Sequence, residues 1–103
     1  MIIRIKPRAR ADLLAIREWG ENTWGPVRAR EFLDALIEKL ELLQENPGMG
    51  RARPAFHPRL RSIRHQGYAI FYCLEEDAPV IVAVLHERRN HGALDFADRI
   101  DGA

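Results

Sequence analysis

Six consecutive apolar residues, Val80 to Leu85 (VIVAVL), constrain this chain more than any other stretch. The run is far too short to span a membrane, and it offers apolar side chains to both faces of a strand, the mark of a strand that is central and covered. Upstream, Leu60 to His65 and Tyr68 to Leu74 repeat with a period of two around Gln66-Gly67, which reads as a tight hairpin turn. Glu75 to Pro79 makes the next turn. Three antiparallel strands in succession follow from this.

The first half of the chain has a helical period. Ile2, Ile3 and Ile5 form a short β-rich run that Pro7 closes, because proline cannot donate into a ladder but suits the first position of a helix. Ala9, Leu13, Ile16 and Gly20 then recur at helical spacing, predicting a first helix over residues 7 to 21. Asn22 to Pro26 (NTWGP) ends it and opens a second helix, whose apolar face runs Ala29, Phe32, Leu33, Leu36, Leu40 and Leu43 until Asn46-Pro47-Gly48 stops it. Helices joined so briefly should lie antiparallel. Residues 47 to 58 are loop by composition, and Leu94, Ala97 and Ile100 are spaced for one short terminal helix. The element string is β-α-α-β-β-β: an α+β fold with an N-terminal strand, an antiparallel two-helix hairpin laid on one face of a mainly antiparallel sheet, and a short C-terminal helix.

With 103 residues, 47% of them apolar, a second independent core is hard to fit, so residues 1 to 103 are expected to form one domain. No transmembrane or export segment is read, and the expected location is the cytoplasm. Cys73, alone among Phe71, Tyr72 and Leu74, suits packing in a reducing compartment and not a disulfide. No Cys/His cluster has ligand spacing, and neither a metal nor a cofactor is expected.

Net charge is only +1, yet its distribution is uneven. Residues 46 to 74 contain Arg51, Arg53, Arg59, Arg61 and Arg64 without a single acid. On the strand, Arg61 alternates with Ile63 and His65 on one side, and Leu60, Ser62 and Arg64 share the other. The ordinary explanation is a solvated edge with ion pairs to Glu75, Glu76 or the second helix, each worth about 0 to 1 kcal/mol. The functional one is a surface awaiting an anion, and guanidinium groups bind carboxylate and phosphate through the same fork. His86-Glu87-Arg88-Arg89 leaves the central strand, where His86 is either a strand-end residue bonded to backbone or a proton-transfer group. Trp24 suits packing in the turn, whereas Trp19, among charges, suits a half-exposed anchor for a partner. Tyr68 and Tyr72 share a strand face with Ile70 and read mainly as packing residues with hydroxyls free to bond at the edge.

In order and spacing, Ala9 with Asp12-Leu13, Trp24-Gly25, Pro47 with Gly50-Arg51, Leu60-Arg61, Tyr68 with Ile70-Phe71-Tyr72, and Leu85-His86 before Arg88 resemble the ParE toxins of type II toxin-antitoxin systems, within the RelE/ParE superfamily. The resemblance covers residues 3 to 89. It implies a toxin that poisons DNA gyrase by binding, neutralised by a ParD-like antitoxin, with DNA touched only indirectly through the complex and no role for a membrane. Carried onto this sequence, target contact falls to Arg51, Arg53, Arg61, Arg64, His86, Arg88 and Arg89, and antitoxin contact to Trp19, Arg61 and Arg64. The alternative, a RelE-like ribosome-dependent mRNA endonuclease, would use His86 with Arg61 and Arg88 and Glu87 as a possible base. This sequence departs from that branch, which commonly carries a tyrosine or lysine cluster at the site: no Tyr follows Tyr72 and no Lys follows Lys39. Autonomous DNA binding is disfavoured by the weak net charge. The short first strand is an edge that a partner's strand could extend.

Overall fold

A computed structural model describes residues 3 to 89 and 91 to 102. β1 (Arg4–Ile5) leads into α1 (Pro7–Trp24) and α2 (Pro26–Glu45), followed by β2 (Arg51–Ala52), β3 (Arg61–His65), β4 (Tyr68–Glu75), β5 (Ala78–His86) and α3 (Phe96–Asp101). The sheet order is β1-β5-β4-β3-β2. Only β1 runs parallel to its neighbour, with Arg4 opposite Val80 and Ile5 opposite Ile81. The expected α+β fold is the one found. Ile2, placed in the first strand by the sequence, lies outside the described residues.

Several boundaries differ from the expectation. α1 does not stop at Asn22 but runs on to Trp24, and the joint to α2 is the single residue Gly25 at φ 92°. Packing explains the extension: the Trp24 ring lies 5.7 Å from Phe32 and meets Trp19 edge-on at 5.1 Å, so the last turn of α1 belongs to the hairpin's own core. Gly20 lets the helices approach, since a Cβ there would stand 3.3 Å from that of Ala29. Residues 47 to 58 are not wholly loop, because Arg51 and Ala52 pair with Ser62 and Arg61 to form β2. In α3 the buried residues are Phe96 and Ile100; Leu94 packs just before the helix and Ala97 is exposed.

Two apolar layers sandwich the sheet. Ile63, Ile70, Tyr72, Ile81 and Val84 face the helical hairpin, meeting Ile16, Phe32, Leu36, Leu40 and Leu43. Leu60, Ala69, Phe71, Cys73, Val80, Val82, Ala83 and Leu85 face the opposite way, where Phe96, Ile100 and Phe56 cover them. The second layer explains why Val80 to Leu85 is apolar on both sides. A bulge adjusts the register: Phe71 stands opposite Ala83 and Tyr72 opposite Ile81, leaving Val82 as an extra residue on β5. Cys73 is fully buried, and its burial pushes the thiol's pKa up, away from nucleophile chemistry.

β1 covers only the start of β5, and side chains complete the rest of that edge. Asp12, on α1, accepts the Val84 N–H at 3.0 Å and the Arg99 Nη1 at 2.9 Å, while Arg99 Nη1 also donates to the Val82 carbonyl at 3.0 Å. The two charged side chains are 14% and 10% exposed. They supply the acceptor and donor that a longer edge strand would have supplied.

Candidate cationic cleft

Beyond the end of β2, the outer edge of β3 opens into a cleft of about 700 Å³ lined by Lys39, Met49, Arg51, Arg53, Ser62, Arg64, Glu87 and His91. Its frame is set by Tyr72. The buried hydroxyl donates to the Pro47 carbonyl at 2.8 Å and accepts the Gly50 N–H at 2.9 Å, which fixes the loop between α2 and β2. The hydroxyl, expected to be free to bond at the edge, makes its bonds in the interior instead. Gly50 must lack a side chain, since a Cβ would fall 2.6 Å from Cε1 of Tyr72. Arg61 Nη1 closes the same joint by donating to the Gly50 carbonyl at 2.6 Å.

The predicted arginines thus divide by what they touch. Arg61 is engaged with the chain's own backbone, and it does not line the cleft. Arg53 donates to the Ser62 hydroxyl at 3.0 Å and lies over the rings of Phe56 and Phe71 at 4.9 and 5.8 Å. Arg64 grips Glu87 through both Nε and Nη2, at 2.6 and 2.9 Å. That bond is the first cause holding the Glu87 carboxyl below the usual carboxylate range, and it pushes the Arg64 guanidinium further up. Glu87 takes the place of the Glu75, Glu76 or second-helix partners expected for this arginine block. Arg59 reaches Asp101 at 3.9 Å. Arg51 is exposed and, among the described residues, pairs with no carboxylate.

His86 sits at the end of β5 with its Nδ1 accepting the Arg88 N–H at 3.1 Å and its ring against Tyr68 at 5.3 Å. It stands opposite Tyr68 across the β4–β5 ladder, whereas Arg61 stands opposite Tyr72 from the other side. Four residues of strand separate those positions, roughly 13 Å at the usual rise. The proposed catalytic set of His86, Arg61 and Arg88 is not brought to one point. His86 and Arg89 instead share a hollow of about 200 Å³ with Trp19, Tyr68 and Asp12. Trp19 is 51% exposed, as the sequence suggested.

Sequence reasoning missed Lys39 and His91 as cleft residues. Lys39 carried a faint signal, a cation on the flank of the apolar stripe of α2 between Leu36 and Leu40. His91 carried none; its ring lies 5.0 Å from Phe71, and its Nε2 is 3.0 Å from the His86 carbonyl. A third, apolar groove of about 380 Å³ runs between β1, α1 and α2, with Leu14 and Ile37 about half exposed along it.

A family model described as the ParE toxin of the type II toxin-antitoxin system parDE matches residues 3–91. The chain belongs to this ParE toxin family. Toxin ParE1 of Caulobacter vibrioides is 30% identical over 87 residues, covering 84% of this chain and 90% of that protein. Toxin RelE3 of the same species is 32% identical over 90 residues, covering 84% and 97%, and Toxin ParE1 of Mycobacterium tuberculosis is 28% identical over 85 residues, covering 82% and 87%. Among solved structures, a chain of the chromosomal ParDE system from P. aeruginosa superposes with a TM-score of 0.72 at 22% identity, covering 84% of this chain and 95% of that one, a likeness of fold. Within this ParE frame, Gly50, Arg61 and Tyr72 hold the loop beside the cleft, and Lys39 and Arg51 are the cations it leaves available.

Proposed function

We propose that this ParE-family chain is a one-domain cytoplasmic toxin that acts by binding DNA gyrase, touches DNA only through that complex, and is neutralised by a ParD-like antitoxin. The observation that carries the reading is the cationic cleft: Lys39 and Arg51 stand in it without an intramolecular carboxylate partner among the described residues. A surface of this kind favours association with an acidic or phosphate-bearing partner. Target contact is assigned to Arg51, Arg53 and Arg64 in the cleft, and to His86, Arg88 and Arg89 at the end of β5. The apolar groove between β1, α1 and α2 suits the amphipathic part of an antitoxin, with Trp19 as an outlying anchor. Among the described residues no helix is long and apolar enough to cross a membrane.

The binding mode is preferred over RNA cleavage because His86 and Arg61 lie at opposite ends of the ladder and each is already bonded to backbone. Expression without an antitoxin tests the choice. Growth arrest with DNA-damage signalling, and loss of supercoiling by purified gyrase on addition of the chain, are expected. Cleaved mRNA at stalled ribosomes with gyrase unaffected would replace this reading with the nuclease.

A further inference from the structure

The ladder around β3 is unfinished at one residue. Across the turn at Gln66-Gly67, His65 stands opposite Tyr68, Ile63 opposite Ile70 and Arg61 opposite Tyr72. In a two-residue hairpin the residues flanking the turn exchange both main-chain bonds, so His65, Ile63 and Arg61 turn their N–H and C=O toward β4. Leu60, Ser62 and Arg64 therefore turn theirs the other way. The Leu60 carbonyl accepts the Arg53 N–H at 2.8 Å, and Ser62 stands opposite Arg51. There β2 stops. Met49 would come opposite Arg64, but its N–H is already donated to the Asn46 carbonyl at 3.0 Å. The main-chain donor and acceptor of Arg64 face the cleft with no backbone partner among the described residues.

The side chains around this gap are mostly of one sign. Lys39 and Arg51 have no carboxylate, and the cleft's one acid, Glu87, is occupied by Arg64.

We propose that the gap at Arg64 accepts an extended acidic peptide, whose main chain pairs with Arg64 and whose carboxylates reach Lys39 and Arg51. The proposal rests on the antitoxin reading only for whose segment this is. A peptide is favoured over a nucleic acid because an N–H beside a C=O on a strand edge matches another strand, while a phosphodiester offers acceptors alone. Acids two residues apart on such a strand fall on one side, toward the cations. Strand addition is thereby placed at the β3 edge; on the opposite side of the sheet, Asp12 and Arg99 already occupy the part of β5 that β1 leaves uncovered.

Amide hydrogen exchange and fluorescence titration on the whole chain test this with a blocked octapeptide of alternating glutamate and valine. Without peptide, the Arg64 amide should exchange much faster than those of Ile63 and His65. Saturating peptide should slow it at least tenfold. The same peptide N-methylated along the edge that would meet Arg64 keeps its charge and should bind at least tenfold more weakly, as should the parent peptide to the Lys39→Gln/Arg51→Gln double variant. Equal affinity of the N-methylated peptide, unchanged binding by the double variant, or tighter binding of an eight-nucleotide thymidine oligomer would each overturn the proposal. The readout needs no toxicity: a chain harmless to cells can pass it, and a chain that poisons gyrase can fail it.

Discussion

Tyr72 shows how much one hydroxyl can organise. It is buried, and burial raises its pKa, so it remains a neutral phenol that can donate to Pro47 and accept from Gly50 at once. Tyr72→Phe leaves a buried N–H and a carbonyl unpaired and should cost about 1–3 kcal/mol. Gly50→Ala should cost a similar ~1–3 kcal/mol by overpacking against the ring, and urea denaturation of both variants checks the pair. His65 is a second informative residue: its Nε2 is buried without a partner among the described residues, and desolvation, followed by the charge of Lys39, lowers its pKa. The fold thus prefers neutral imidazole, so the contribution of His65 is full above the ordinary histidine value of about 6.5 and is lost as pH falls below it. Stability measured between pH 7.5 and 5.5 should drop in the parent, and the drop should flatten in His65→Phe. At this scale the sequence displayed Gly50 and Tyr72 as residues but not their bond, because a contact across 22 positions leaves no periodic trace.

Helices and hairpin strands were legible because their signals are local: the stripe from Ala29 to Leu43, the alternation beside Gln66-Gly67, the apolar run at Val80. What escaped depends on tertiary partners. β2 is two residues long and exists only because β3 lies beside it, and α1 passes Asn22 because Trp24 has Phe32 to meet. The Asp12–Arg99 pair belongs to the same class, since nothing in either helix alone announces that it completes the edge of β5. Removing one partner of so buried a pair leaves the other uncompensated: Asp12→Ala should cost about 3–5 kcal/mol. In a double-mutant cycle, Asp12→Ala combined with Arg99→Met should cost less than the sum of the two single changes, and additive losses would mean the side chains act separately.

Across the molecule, charge is distributed so that the fold answers part of its own demand. Arg8, Arg59, Arg64 and Arg99 each have a carboxylate, three of those carboxylates drawn from the acidic C-terminal third, residues 75 to 103. In the cleft, Lys39 and Arg51 have no carboxylate among the described residues, and that local excess is what the candidate site amounts to. Of the arginines in the acid-free window of the sequence, Arg61 is bonded to the Gly50 carbonyl and Arg64 to Glu87, contacts across the fold that composition does not display. On the proposed function, Lys39→Gln/Arg51→Gln should weaken growth arrest and gyrase inhibition at least tenfold with a thermal midpoint near the parent's. Arg61→Gln should act through the midpoint instead.

The pairing of β1 with β5 has a consequence for synthesis. β1 must wait for residues 80 and 81 before it has a neighbour, and until then the apolar stripe of the α1–α2 hairpin lacks Ile81 and Val84, the central strand's part of the face it covers. Non-local closure of this kind is slow and leaves sticky surface on the nascent chain. A protein made this way is open to chaperones and proteases for most of its translation, and becomes a finished object only late.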